Sequence, residues 1–180
     1  TAHDRPRLRM LPVRCGTPWR TFRQGQAWDR KLASSSEVDG NLLVMADQVR
    51  RAIAWVYRNA SSFGGDANRI YISGTSSGGH LAGVALTTDW PKAYGVPMDV
   101  LKGGLCCSGM YELHPVSLSA RANYVRFTPE MIESLSSMRH LDKLVAPIVV
   151  AHGTLETPEF QRQNREFAAA VKAAGKPVTF

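Results

Sequence analysis

Over residues 1–36 the apolar positions follow neither a two-residue nor a 3.6-residue period for any useful length. Arg, Pro, Ser, Gln and Gly punctuate the stretch, as in Arg5-Pro6-Arg7 and Ser34-Ser35-Ser36, so it is expected to be mostly irregular. From Glu37 the pattern changes abruptly. Val44, Val49, Ile53 and Val56, with Ala52 and Trp55 beside them, have helical spacing up to Tyr57. Asn59 and the turn Ser61-Ser62-Phe63-Gly64-Gly65-Asp66 should end that helix. An apolar, β-branched run over 69–73 predicts a strand, and a small-residue segment with Leu81, Val84 and Ala85 predicts a helix to about Thr88. Residues 90–100 read as a loop broken by two prolines, and 101–108 as a second buried strand interrupted by glycines. Beyond it, an excursion over about 109–137 begins as a surface segment to Val125 and holds a short helix over 129–136, with Thr128 as N-cap and Pro129 at N1. Residues 145–151 predict a third strand, β-branched like one covered on both faces. An amphipathic helix over 158–174 carries Phe160, Phe167 and Val171 on one side and closes at Gly175, and 177–180 begins a fourth strand.

Strands alternating with helices imply parallel strands joined by right-handed crossovers, hence an α/β three-layer sandwich with helices on both faces of a mostly parallel sheet. Ligand sites in such sheets lie beyond the carboxyl ends of the strands. Two segments fall there: the turn after the 69–73 strand, and the loop 152–158 after the third. Two units are expected, an irregular basic segment over 1–36 and the partial α/β domain over 37–180.

The first of those turns reads Gly74-Thr75-Ser76-Ser77-Gly78. A bare G-x-S-x-G is often only a Gly/Ser turn. With a strand before it and a helix after it, the motif has the context of a nucleophile elbow, in which a strained turn presents one serine. Ser76 is therefore the candidate nucleophile. Ser73 closes the strand and Ser77 opens the helix, where its backbone N–H can receive an oxyanion.

Composition adds limits. The 180 residues, 44% of them hydrophobic, suffice for one domain with a core, and no run approaches the length needed to cross a bilayer. No signal-peptide apolar stretch opens the chain, so a soluble, cytoplasmic protein is expected. Cys15 stands alone and Cys106-Cys107 are adjacent in a strand, a placement that suits reduced thiols rather than a disulfide framework or a metal site. The net charge of +7 is uneven: residues 1–36 hold eight Arg/Lys against Asp4 and Asp29, and the remainder is nearly neutral. A basic arm on a neutral domain is not the footprint of a folded nucleic-acid reader, which spreads charge over one face.

A serine hydroxyl needs an imidazole to take its proton and a carboxylate to orient that imidazole. The acid should lie just past a core strand. Glu156, in Gly153-Thr154-Leu155-Glu156-Thr157-Pro158-Glu159-Phe160, fits; Glu159 is the rival, but it falls in a helix first turn where a carboxylate is commonly a dipole partner. The histidine should follow the acid, and none does. His152 precedes it at a strand end and reads as structural, His80 as packed beside the site, and His114 and His140 as excursion residues.

Residues from about 37 to 180 resemble the kynurenine formamidase (arylformamidase) and carboxylesterase branch of the α/β hydrolases. The likeness rests on Phe63-Gly64-Gly65-Asp66, Arg69-Ile70-Tyr71-Ile72-Ser73-Gly74, the Ser76-Ser77-Gly78-Gly79-His80-Leu81-Ala82 elbow, and Glu156-Thr157-Pro158-Glu159-Phe160 with Gln163 and Phe167 after it. It implies hydrolysis of an aryl formamide or small carboxylic ester through an acyl-enzyme, without a cofactor, with Ser76 as nucleophile and Glu156 where the family usually has Asp. It implies a small-molecule partner, no nucleic acid and no membrane, and is compatible with a homodimer. The family's histidine falls beyond residue 180 and its His-Gly-Gly oxyanion loop is not recognisable, so early strands and the C-terminal end are expected to be missing or altered, and turnover to be very low. Cys15-Gly16-Thr17-Pro18-Trp19-Arg20 is faintly similar to that loop, with no apolar strand before it. Read one nucleotide over, Pro18-Trp19-Arg20 written CCA-TGG-CGG contains CAT-GGC-GG, His-Gly-Gly, which suggests an out-of-frame N-terminal segment. The alternative reading is a non-catalytic fragment or binding protein of the same fold.

Overall fold

The computed structural model describes residues 38–180 in full and, before them, the backbone of three short strands, β1 (Leu11–Val13), β2 (Trp19–Arg23) and β3 (Gln26–Arg30). β2 and β3 form an antiparallel pair, and β1 runs parallel beside the elbow strand with Leu11 opposite Ile72. The expectation of mostly irregular structure over 1–36 is thus corrected at these strands, and an apolar strand does precede Cys15. Cys15, the turn from it to Pro18 and the frame question lie outside the described residues.

The long helix α1 (Leu42–Asn59) starts where Asn41 accepts a hydrogen bond from the Leu43 N–H at 3.0 Å. It ends as expected, in a 3₁₀ turn Ala60–Phe63 closed by Gly64 at φ +72°. Its buried face, Met45, Ala46, Val49, Ile53 and Ala54, follows the 3.6-residue period. Burying each larger apolar side chain there contributes about 1.5–3 kcal/mol. Then come β4 (Tyr71–Thr75), α2 (Ser77–Leu86) and α3 (Trp90–Tyr94). The last lies in the expected loop. Pro91 sits in its first turn behind the Asp89 cap, where proline starts a helix instead of breaking one.

β5 (Gly103–Cys107) leads into the excursion, α4 (Leu113–Ser117) and α5 (Pro129–Leu135), the latter capped by Thr128 as expected. The chain closes with β6 (Ile148–Ala151), α6 (Pro158–Ala173) and β7 (Val178–Thr179). The sheet is parallel throughout, in the order β1-β4-β5-β6-β7.

From β4 onward that order advances in one direction, so right-handed crossovers place every connecting helix on the same face. Burial alternates accordingly. Ile72, Gly74, Cys106, Ile148 and Val150 face the core that α1, α2 and α6 complete, whereas Val149 is 41% exposed and Ser73 and Leu105 are half-buried. Among the described residues the helices therefore cover one face, and the expectation of a 145–151 strand covered on both faces is corrected.

The excursion, expected on the surface, is exposed over 118–120 and 122–124 but buried at its start. Tyr111 and Leu113 are fully buried and Val116 nearly so, with the Tyr111 ring stacked 4.0 Å from Phe167 of α6. The polar backbone this brings inside is satisfied by α6. Gln163 Oε1 accepts from the Tyr111 and Glu112 N–H groups at 2.7 and 3.0 Å, its Nε2 donates to the Glu112 carbonyl at 3.0 Å, and Asn164 Nδ2 donates to the Gly109 carbonyl at 3.2 Å.

Candidate active site

Ser76 stands between β4 and α2 with φ +57° and ψ −119°, a conformation that costs an L-residue about 1–3 kcal/mol. The surrounding crossing enforces it. A Cβ on Gly74 would lie 2.1 Å from the Gly78 carbonyl oxygen, and one on Gly79 would lie 2.4 Å from that of Cys107, so no side chain fits at either position. The Ser76 N–H donates to the Cys107 carbonyl at 2.9 Å, and its own carbonyl accepts from the His80 N–H at 3.0 Å. Ser77 is the first residue of α2, where a backbone N–H has no intrahelical acceptor and the helix dipole favours negative charge.

Glu156 lies in the loop after β6, at the same end of the sheet. One strand separates it from Ser76; at about 4.8 Å per strand the two side chains start about 10 Å apart, too far for direct hydrogen bonding. The end of that intervening strand bridges them. The Ser108 N–H donates to the Ala151 carbonyl at 2.7 Å, and the Ser108 hydroxyl donates to Glu156 Oε1 at 2.5 Å. Glu156 Oε2 is buried and has no hydrogen-bond partner among the described residues. The Cys107 thiol beside it is pushed up by burial first and by the Glu156 carboxylate second. Burial raises Cys106, on the opposite face, to about 12. Both thiols are unbridged.

Glu159, the rival acid, is occupied elsewhere. It accepts from Arg162 and from Gln163 Nε2, and the Arg162 bonds foremost hold its carboxyl below the usual range. His80 is buried, and its Nε2–H donates to the Leu135 carbonyl at 3.0 Å; desolvation, opposed only in part by that bond, lowers its pKa to about 4. His152 bonds the Gly153 carbonyl and tilts against Phe180 at 5.6 Å, His140 bonds the Glu133 carbonyl, and His114 is exposed. No contact joins any of them to Glu156 Oε2 among the described residues. Nor do the described residues bring three metal-ligating side chains together, and none of their helices is long and apolar enough to cross a membrane.

Two neighbouring cavities lined by described residues adjoin these groups. The larger, about 410 Å³, runs from Thr157, the neighbour of Glu156, to the excursion, and is lined by Met110, Val116, Arg121, Tyr124 and Phe160. The smaller, about 70 Å³, reaches Ser77 and shares Met110, Val116, Arg121 and Tyr124. Sequence reasoning missed Arg121, Tyr124 and Ser108, because only the folded excursion and the order of β4, β5 and β6 bring them to the site.

A parallel sheet with a strained Ser turn after one strand and a carboxylate loop two strands along is the frame of one fold superfamily, and relatives in sequence and structure agree. Residues 41–101 match the BD-FAE family model. Kynurenine formamidase of Danio rerio is 33% identical over 146 residues, 78% of this chain and 48% of that protein. The chain has the α/β-hydrolase fold and is similar in sequence to the kynurenine formamidase and carboxylesterase-like branch of that fold. Esterase LipC of Mycobacterium tuberculosis is 28% identical over 71% of the chain and 36% of that protein. In structure, an acetyl ester-xyloside bifunctional hydrolase from Caldicellulosiruptor lactoaceticus superposes with a TM-score of 0.61 at 23% identity, over 75% of this chain and 53% of its own. The chain spans about half the length, or less, of the curated relatives it matches.

Proposed function

We propose that the protein is a serine hydrolase of small acyl compounds, an aryl formamide or carboxylic ester, acting through an acyl-enzyme on Ser76. The observation that carries this is the Ser76 turn: a serine held at φ +57° by backbone that leaves no room for side chains at Gly74 and Gly79. In the reaction the Ser76 hydroxyl attacks the carbonyl carbon and the Ser77 N–H stabilises the oxyanion. A base takes the hydroxyl proton and returns it to the leaving amine or alcohol, and water then releases the acid by the same steps in reverse. Glu156 supports the charged base, and its unpartnered Oε2 is where an imidazole N–H would bind. The aromatic and thioether lining of the larger cavity suits an aryl group. The formamidase and esterase names of the relatives support this substrate class.

A fluorophosphonate probe tests the reading. With no histidine on Glu156 among the described residues, labelling of the 180-residue chain should be slow, confined to the Ser76 peptide by mass spectrometry, and lost in Ser76→Ala. Labelling scattered over other serines, or unchanged in that variant, would leave the non-catalytic reading in its place.

A further inference from the structure

We infer that Ser108 is a positioning residue for the acid: its hydroxyl occupies Glu156 Oε1 and so leaves Oε2 as the one oxygen offered to the imidazole. The inference rests on the reading of Ser76 and Glu156 as nucleophile and acid, and goes beyond it by naming what orients the carboxylate.

Three observations converge. First, the loop backbone around Glu156 is fixed independently, by its N–H on the Gly153 carbonyl at 3.3 Å and by Gln161 Nε2 donating to its carbonyl at 2.7 Å, so the carboxylate's own torsion is what remains to be set. That torsion is broad and two-fold, and an unrestrained carboxylate exchanges its oxygens freely. Second, the Ser108–Glu156 bond, at 2.5 Å, joins a half-buried carboxylate to a buried hydroxyl, a charge-assisted pairing of the strong kind. Third, Ser108 adopts φ +50°, the left-handed region that disfavours L-residues, directly after β5. A glycine would meet that backbone requirement without strain; the serine adds a hydroxyl aimed at the acid. The result is asymmetric, with one oxygen bonded and the other buried and unpartnered.

Free imidazole provides the test on the chain as it exists. In the assay the Ser76 oxygen bonds to the phosphorus of a fluorophosphonate, fluoride leaves, and imidazole takes the hydroxyl proton. Intact-mass measurement of the labelled fraction against imidazole concentration, at several pH values, should show a saturable acceleration. Ser108→Ala and Ser108→Gly should lower that imidazole-dependent rate about tenfold, the order expected for one charge-assisted hydrogen bond. Ser108→Gly should at the same time lose less melting temperature than Ser108→Ala, because both delete the hydroxyl but only glycine relieves the positive φ, while the two lose the same rate. A purely structural role would instead make reactivity follow stability. If both hydroxyl-deleting variants respond to imidazole as the wild type does, the inference is overturned while the Ser76–Glu156 reading stands. If the wild type gains no more from imidazole than Glu156→Gln, that reading fails and takes the inference with it.

Discussion

His80 is the buried titratable group beside the elbow, and its environment makes a definite statement about pH. Its pKa is about 4 in the folded chain and about 6.5 in the unfolded one, so from neutrality downward only the unfolded state takes up the proton. Stability is therefore complete above pH 6.5 and falls as the pH drops toward 4. Between pH 7.5 and 5 the loss should be about 2 kcal/mol. Chemical denaturation at the two pH values should show it, and His80→Gln, whose amide can donate to the same carbonyl, should flatten the slope. This window lies above the range in which Glu112 and Glu159, with lowered pKa values, take up protons. The role of His80 as a packed residue was legible from its place one turn into a helix of small residues. So were the candidates Ser76 and Glu156, because a turn motif and a post-strand carboxylate are local signals. Ser108 was not: a serine after a strand carries no local mark, and its meaning comes from a partner 48 residues away.

Among the elements, α6 does more than cover β6 and β7. Through Gln163 and Asn164 it supplies the hydrogen bonds that let a polar backbone enter the core at residues 109–113. Gln163→Leu would strand two N–H groups and one carbonyl, each worth about 1–3 kcal/mol when left unpaired, so a loss of about 3 kcal/mol or more is expected in urea unfolding. Limited proteolysis should then nick the excursion first. The surface reading of this excursion from sequence failed at its start for the same reason: Tyr111, Leu113 and Val116 form no regular stripe, and the amides that make their burial tolerable lie about 50 positions later. By contrast α1, α5 and α6 were readable, since periodicity and caps are local. The α3 helix was hidden by Pro91, whose role depends on whether it stands first or mid-helix.

At the scale of the molecule, the strand order gives the sheet a dressed and an undressed side, and two adjacent valines sample them. Val150 is 1% exposed and Val149 41%. Val150→Thr should cost about 1–3 kcal/mol through a buried hydroxyl without a partner, whereas Val149→Thr should stay within about 0.5 kcal/mol. Equal costs in a denaturant titration would show the outer face to be covered. No sequence pattern could have announced this, because alternation along a strand does not say in which direction the next strand is added. Ser76, Ser108 and Glu156 hang from three neighbouring strand ends whose spacing the sheet dictates, while the cavity wall of residues 110–127 is anchored from behind by two amides of α6. Scaffold and selector are thus separate modules. A graft that replaces that wall with the corresponding stretch of a relative, and leaves Gln163 and Asn164 untouched, should redirect which acyl compounds are accepted without disturbing the spacing at which they react.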